Sequence, residues 1–190
     1  MQRVFKEDIL FEQSDFSSTG FPAGDYENCH FEHCEFSSVN LSGVHFVECT
    51  FNHCNVSLAA LTNTVFRDIK FIDCKMIGLH FQDCNKILFT VDFDHCNLQL
   101  SSFYKMKLKK IRFTKSNLQE VDFTETDLTN AVFDQCDLIR TTFDNTILEK
   151  ADFRTAYNYS IDPGINRIKK ARFSTSGIAG LLDSYDIEID

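Results

Sequence analysis

The sequence predicts an all-β chain wound into a four-sided parallel β-helix and closed at its C-terminal end by a short α-helix. Three observations predict it. From Phe93 and Leu98 through to Leu148 and Phe153, every fifth residue is Phe or Leu in strict alternation. Five residues carry a helical side chain well round its axis and turn a strand side chain to the opposite face. A period of five therefore keeps one side inward only if the chain turns a corner about once per repeat. The same period runs through the first half, from Phe11 to Phe81, so that seventeen of the twenty Phe lie on repeat centres. Finally, like residues recur at twenty: Phe11, Phe31, Phe51 and Phe71, then Phe93, Phe113, Phe133 and Phe153. A fifteen-residue turn would lay Phe over Leu in the second half. A twenty-residue turn lays ring over ring, an arrangement aromatic groups favour when offset, and this selects four sides.

Taken in order, residues 1–10 are expected as a lead-in and residues 11–155 as the repeats. Between Phe81 and Phe93 the spacing is twelve rather than ten, so two extra residues enter near Asn85-Lys86-Ile87 as a bulge or corner loop. Residues 156–190 form the expected C-terminal cap. Asp162-Pro163-Gly164 signals a turn. Ser174-Thr175-Ser176 offers an N-cap to a helix over about 175–185, with Ile178, Leu181, Leu182 and Tyr185 on one face. Asp186 to Asp190 alternates as a strand with Ile187 and Ile189 on one side. A β-helix must cover its open end. Ile178, Leu181, Leu182, Tyr185, Ile187 and Ile189 are therefore the candidate cap and homodimer residues.

All eight cysteines lie two residues before a centre or hold that offset where the pattern breaks. That is a packing position, which a free thiol fills as a small hydrophobe. Reduced thiols are expected. The opening residues Met1 to Asp8 contain no apolar run of the kind that directs secretion, and no window approaches the ~18 apolar residues of a membrane span. A cytoplasmic chain with no membrane partner follows as the expectation.

The net charge of -9 argues against direct binding to nucleic acid. There is no Gly-rich phosphate loop, nucleophile elbow or HExxH motif, so neither catalysis nor a cofactor is expected. On a twenty-residue coil, His33, His53 and Asp73 fall in one outward column with Glu12 and Glu32 beside it, and neighbours would lie ~4.8 Å apart. An exposed column is more often a ladder of solvated side chains, so no metal is assigned and these three stand as the candidate ligands. Charge is uneven along the chain. Residues 95–115 hold six bases and no acid, between two acidic segments. Lys105, Lys107, Lys109 and Lys110 of this collar, with Asp122, Glu125, Asp127, Asp134, Asp137 and Asp144 beyond it, form the candidate partner-binding surface.

The motifs Ala131-Val132-Phe133-Asp134-Gln135, Thr126-Asp127-Leu128-Thr129-Asn130 and Ala151-Asp152-Phe153-Arg154-Thr155 resemble those of the pentapeptide repeat family. The resemblance spans roughly residues 9 to 155 and implies a right-handed quadrilateral β-helix. The tail from Ser160 to Ile189 is similar in layout to that of the Qnr, MfpA and McbG group. That similarity implies a non-enzymatic DNA mimic that binds a type II topoisomerase (DNA gyrase or topoisomerase IV) and dimerises through its C-terminal cap. The alternative is a protein-binding scaffold with no topoisomerase role. Continuous acidity along one face would favour the first, and the lysine collar favours the second.

Overall fold

A computed structural model describes residues 3–87, 89–185 and 187–188. The chain coils so that each strand pairs in parallel with the strand one turn on. One sheet contains β1 (Val4–Glu7), β3 (Gly24–Glu27), β5 (His45–Val47) and β7 (Val65–Arg67). The other orders β2 (Leu10–Glu12), β4 (His30–Glu32), β6 (Thr50–Asn52), β8 (Ile69–Ile72), β9 (Val91–Asp94), β10 (Arg112–Thr114) and β11 (Val132–Asp134). Registers such as Phe11↔Phe31, Phe31↔Phe51 and Phe113↔Phe133 give twenty residues per turn. The other two sides are joined by single bridges, such as Asn97↔Asn117 and Ser102↔Asp122, at the same spacing. The corners have a common local cause. Two residues after almost every centre, the backbone is left-handed, as at His33 (φ 54°), Leu58 (φ 58°) and Lys105 (φ 55°).

Inside, the rings stack as the twenty-residue spacing requires. Phe11, Phe31, Phe51, Phe71, Phe93, Phe113, Phe133 and Phe153 form one column with neighbouring centroids 4.6–5.7 Å apart. Phe173 adds a ninth ring, 5.4 Å beyond Phe153 and within 6° of parallel. Phe81, Phe103, Phe123 and Phe143 make a second column that meets the first edge-on. All eight cysteines are buried and unpaired.

Several features depart from the expectation. β1 pairs with β3 from Val4↔Gly24, so coil pairing extends into the segment expected as a lead-in. A single α-helical turn, α1 (Phe16–Thr19), replaces one side of the first coil. Asp15 caps it by accepting from the Ser17 and Ser18 N–H groups, and Gly20 ends it. Past Phe153 the coil resumes after the Asp162–Gly164 turn, with Ile147↔Arg167 and Asp152↔Arg172 bridges, so the last regular rung lies well inside the segment assigned to the cap. The cap helix is 3₁₀ rather than α, over Thr175–Leu181 and again over Asp183–Tyr185. Ser174 is its N-cap and accepts from the Gly177 N–H. With three residues per turn, Ser174, Gly177 and Gly180 line up on one edge. That edge lies against Tyr159, and a Cβ on Gly177 would run into the Tyr159 hydroxyl, one on Gly180 into its carbonyl. Ile187 and Glu188 are not in a strand, and Asp186, Ile189 and Asp190 lie outside the described residues.

The two-residue insertion sits between Asn85, still bonded through its N–H to the Thr64 carbonyl, and Val91, which pairs with Ile69. The spacing is twenty-two from there to the His80↔Ser102 bridge. The four-stranded sheet therefore ends at β7. Phe89 turns inward and sets its ring edge-on to Phe66 and Phe81.

Candidate functional site: the outer faces and the C-terminal end

The acidic positions of the proposed partner surface divide into two kinds. Asp122, Asp127 and Asp137 stand one residue before a centre, and each accepts the backbone N–H two residues on: Thr124 at 2.9 Å, Thr129 at 3.1 Å and Ile139 at 3.2 Å. Asn40, Asn55, Asn97, Asn117 and Asp152 make the same turn at equivalent positions. These carboxylates build corners. At Asp127 partial burial works against ionisation, but the Thr129 bonds and the Lys109 ammonium outweigh it and hold the carboxyl below the usual range. Glu125, Asp134 and Asp144 follow their centres instead, and bond to Lys105 and Tyr104, to Thr155 and to Asn145 respectively.

The lysine collar lies one coil before these acids, and the coil register neutralises part of it. Lys105 Nζ reaches Glu125 at 3.2 Å and Lys109 Nζ reaches Asp127 at 3.3 Å. Bonds to Tyr104 and then to Glu125 raise the Lys105 pKa. For Lys107 and Lys110 no ion pair is found among the described residues. Both lysines line a groove of about 430 Å³ opened by the insertion, with Ile69, Phe89, Val91 and Ile111 among its apolar walls. Sequence spacing located the insertion, but not that it would open a groove beside the collar.

At the C-terminal end, the candidate cap residues also separate. Leu181 packs against the core and Leu182 is half-buried. Ile178, Tyr185 and Ile187 are exposed, at 54%, 59% and 56%. Ile189 lies outside the described residues. On the outward column the structure brings His33 and His53 together, with ring centroids 4.8 Å apart, and adds Glu32. Asp73 is not part of that cluster.

This stacked coil, with a large side chain at each centre and small ones two residues earlier, defines a class of protein by itself. The sequence model of the pentapeptide repeat region matches residues 24–86 and 86–157, and the chain belongs to the pentapeptide repeat family. Among solved structures, it is similar to two trypsin-treated forms of QnrB1, a plasmid-mediated fluoroquinolone resistance protein. The TM-score is 0.62 at 14% identity for one, covering 98% of this chain and 100% of that one. For the other it is 0.59 at 16%, with both chains covered in full. Full-length QnrB1 matches at 0.53 and 15% identity, over 97% of this chain and 100% of its own. At these identities the likeness is one of fold. A comparison with curated protein sequences finds no match. No helix among the described residues is long and apolar enough to cross a membrane.

Proposed function

We propose that this chain is a protein-binding rod with no catalytic role of its own, and that its partner is a type II topoisomerase whose DNA-binding surface it occupies as a mimic of duplex DNA. One observation carries the proposal: a likeness to QnrB1 that runs from end to end of both chains. The net charge of -9 agrees with it. A β-helix presents its side chains at fixed ~4.8 Å intervals on flat faces, which suits a partner surface built for a regular polymer.

A second reading, a scaffold for another protein, is favoured by the collar. Lys107 and Lys110 interrupt the acidity midway along the rod, and the groove beside them offers apolar walls to a side chain. Gyrase supercoiling assays with micromolar protein, with and without a fluoroquinolone, separate the two. Altered supercoiling or restored activity under drug is the outcome expected of the mimic. Unchanged gyrase and topoisomerase IV in both conditions leaves the scaffold.

The same reading includes a homodimer through the C-terminal end, supported by the three exposed apolar side chains Ile178, Tyr185 and Ile187. The chain is proposed to act in the cytoplasm, where the partner enzyme works.

A further inference from the structure

Two residues after each Phe of the ring column from Phe11 to Phe133, the chain turns through a left-handed corner, and the side chain there is exposed. In consecutive coils that position holds His33 (φ 54°) and His53 (φ 52°). Because the coils stack in register, the two imidazoles face one another, centroids 4.8 Å apart and planes inclined at 35°. Glu32, the neighbour of His33, brings a carboxylate to the same place. One potential ligand atom from each of the three residues lies within 4.8 Å of the other two.

Asn52 organises this group. Its Nδ2 donates to Glu32 Oε2 at 2.8 Å, which leaves its Oδ1 facing His53 Nδ1 at 2.9 Å. An oxygen acceptor on that side requires the proton on Nδ1, so the His53 lone pair is on Nε2. One amide thus aims a carboxylate and fixes an imidazole tautomer. Metal sites hold their ligands through outer contacts of this kind.

We propose that Glu32, His33 and His53 form a binding site for a divalent transition cation of the zinc class, with Asn52 as its positioning residue. Two imidazole nitrogens and one carboxylate oxygen suit zinc, and imidazole disfavours magnesium and calcium. Two donors each ~2.0–2.1 Å from one ion can stand at most about 4.2 Å apart. His33 and His53 are exposed and Glu32 is half-buried, so small side-chain rotations close the gap. The remaining position faces solvent and takes water. Such an ion ties the coil of His33 to the coil of His53 and stabilises the folded state by mass action.

The test is titration calorimetry of the full chain with zinc chloride alone, beside thermal melts with and without the metal. The wild type is expected to take up one equivalent and melt higher, with no response to magnesium. His33→Asn and His53→Asn keep a residue that tolerates a left-handed backbone and should weaken binding at least 100-fold. Asn52→Ala, which removes no ligand, should weaken it ~10–100-fold. No heat and no shift in Tm for the wild type would overturn the site, as would wild-type affinity in both histidine variants. Unchanged affinity in Asn52→Ala would overturn the positioning role.

Discussion

The ring of Phe123 shows what a single repeat centre contributes. It is fully buried, lies between Phe103 and Phe143 at 5.2 and 5.5 Å, and meets Phe113 and Phe133 edge-on. Neighbouring coils fix every one of these contacts, so a void there cannot collapse without shifting strands. Phe123→Ala should cost ~3–5 kcal/mol in a denaturant melt. The position two residues before a centre does more than fill space. Cys49 Sγ donates to the Tyr26 carbonyl one coil back at 3.4 Å, and Thr126 and Thr141 hydroxyls bond the equivalent carbonyls at 2.7 Å. Thiol and hydroxyl are alternative inter-coil ties. The spacing of the cysteines marks them as small core fillers but carries no sign of this bond, because its acceptor lies in another coil. Burial pushes the Cys49 and Cys136 thiols from 9.0 up to about 12. A pKa raised in the folded state means that the stabilisation is complete below about pH 9 and is lost as pH rises toward 12. Denaturant melts should therefore show stability falling over that window, less steeply in a Cys49→Ala, Cys136→Ala double variant. At neutral pH a thiol-reactive dye should label none of the eight cysteines until the chain unfolds.

Among the elements, the cap helix was legible in its start and not in its type. Ser174-Thr175-Ser176 offered an N-cap in the sequence, and of the three Ser174 is the cap. The 3₁₀ helix runs against Tyr159, which is buried in the last coil and seated against Gly177 and Gly180. A backbone that must approach a ring this closely has no room for Cβ atoms, and the tighter helix sets both glycines on the same edge. The Gly180 carbonyl completes the junction by accepting the Ile161 N–H at 2.8 Å. Gly180→Ala should lift the helix from the coil at a cost of about 1–3 kcal/mol. The measurement is hydrogen exchange, where the Ile161 amide should lose protection while the Phe113 amide keeps it. The resumption of the coil after Asp162–Gly164 had a sequence signal of its own. Ile168 and Phe173 stand fifteen and twenty residues after Phe153, in unbroken register. The turn at Asp162–Gly164, between Phe153 and Ile168, hid it.

For the whole molecule, surface charge must be judged in space rather than along the chain. The collar and the acidic segment after it are adjacent coils, and Lys105–Glu125 and Lys109–Asp127 pair across the step. Much of the acidity that seemed available to a partner is engaged in building corners. Large apolar side chains face solvent at both ends, Phe5 and Leu10 near the N-terminus and Ile178, Tyr185 and Ile187 near the C-terminus, and it is the C-terminal set that the proposed dimer uses. Light scattering should give twice the monomer mass at high protein concentration. Ile178→Asp, at an exposed position, should return the monomer mass with the fold intact by circular dichroism. A wild type that stays monomeric would exclude the dimer.

The fold was legible in the sequence because a period of five has one economical solution, and the distance between like residues counted its sides. Core membership followed from the same period, since every centre looks inward whatever its neighbours are. Outward positions carry no such constraint. Which of them meet depends on how coils twenty residues apart stack, and on the two-residue insertion that re-phases everything after Asn85. Sequence spacing thus put His33 and His53 side by side, but only the structure exchanged Asp73 for Glu32 and placed Asn52 between the two kinds of ligand. The reason is physical: inward side chains answer to one periodic core, while an outward side chain's partners are set by contacts across coils.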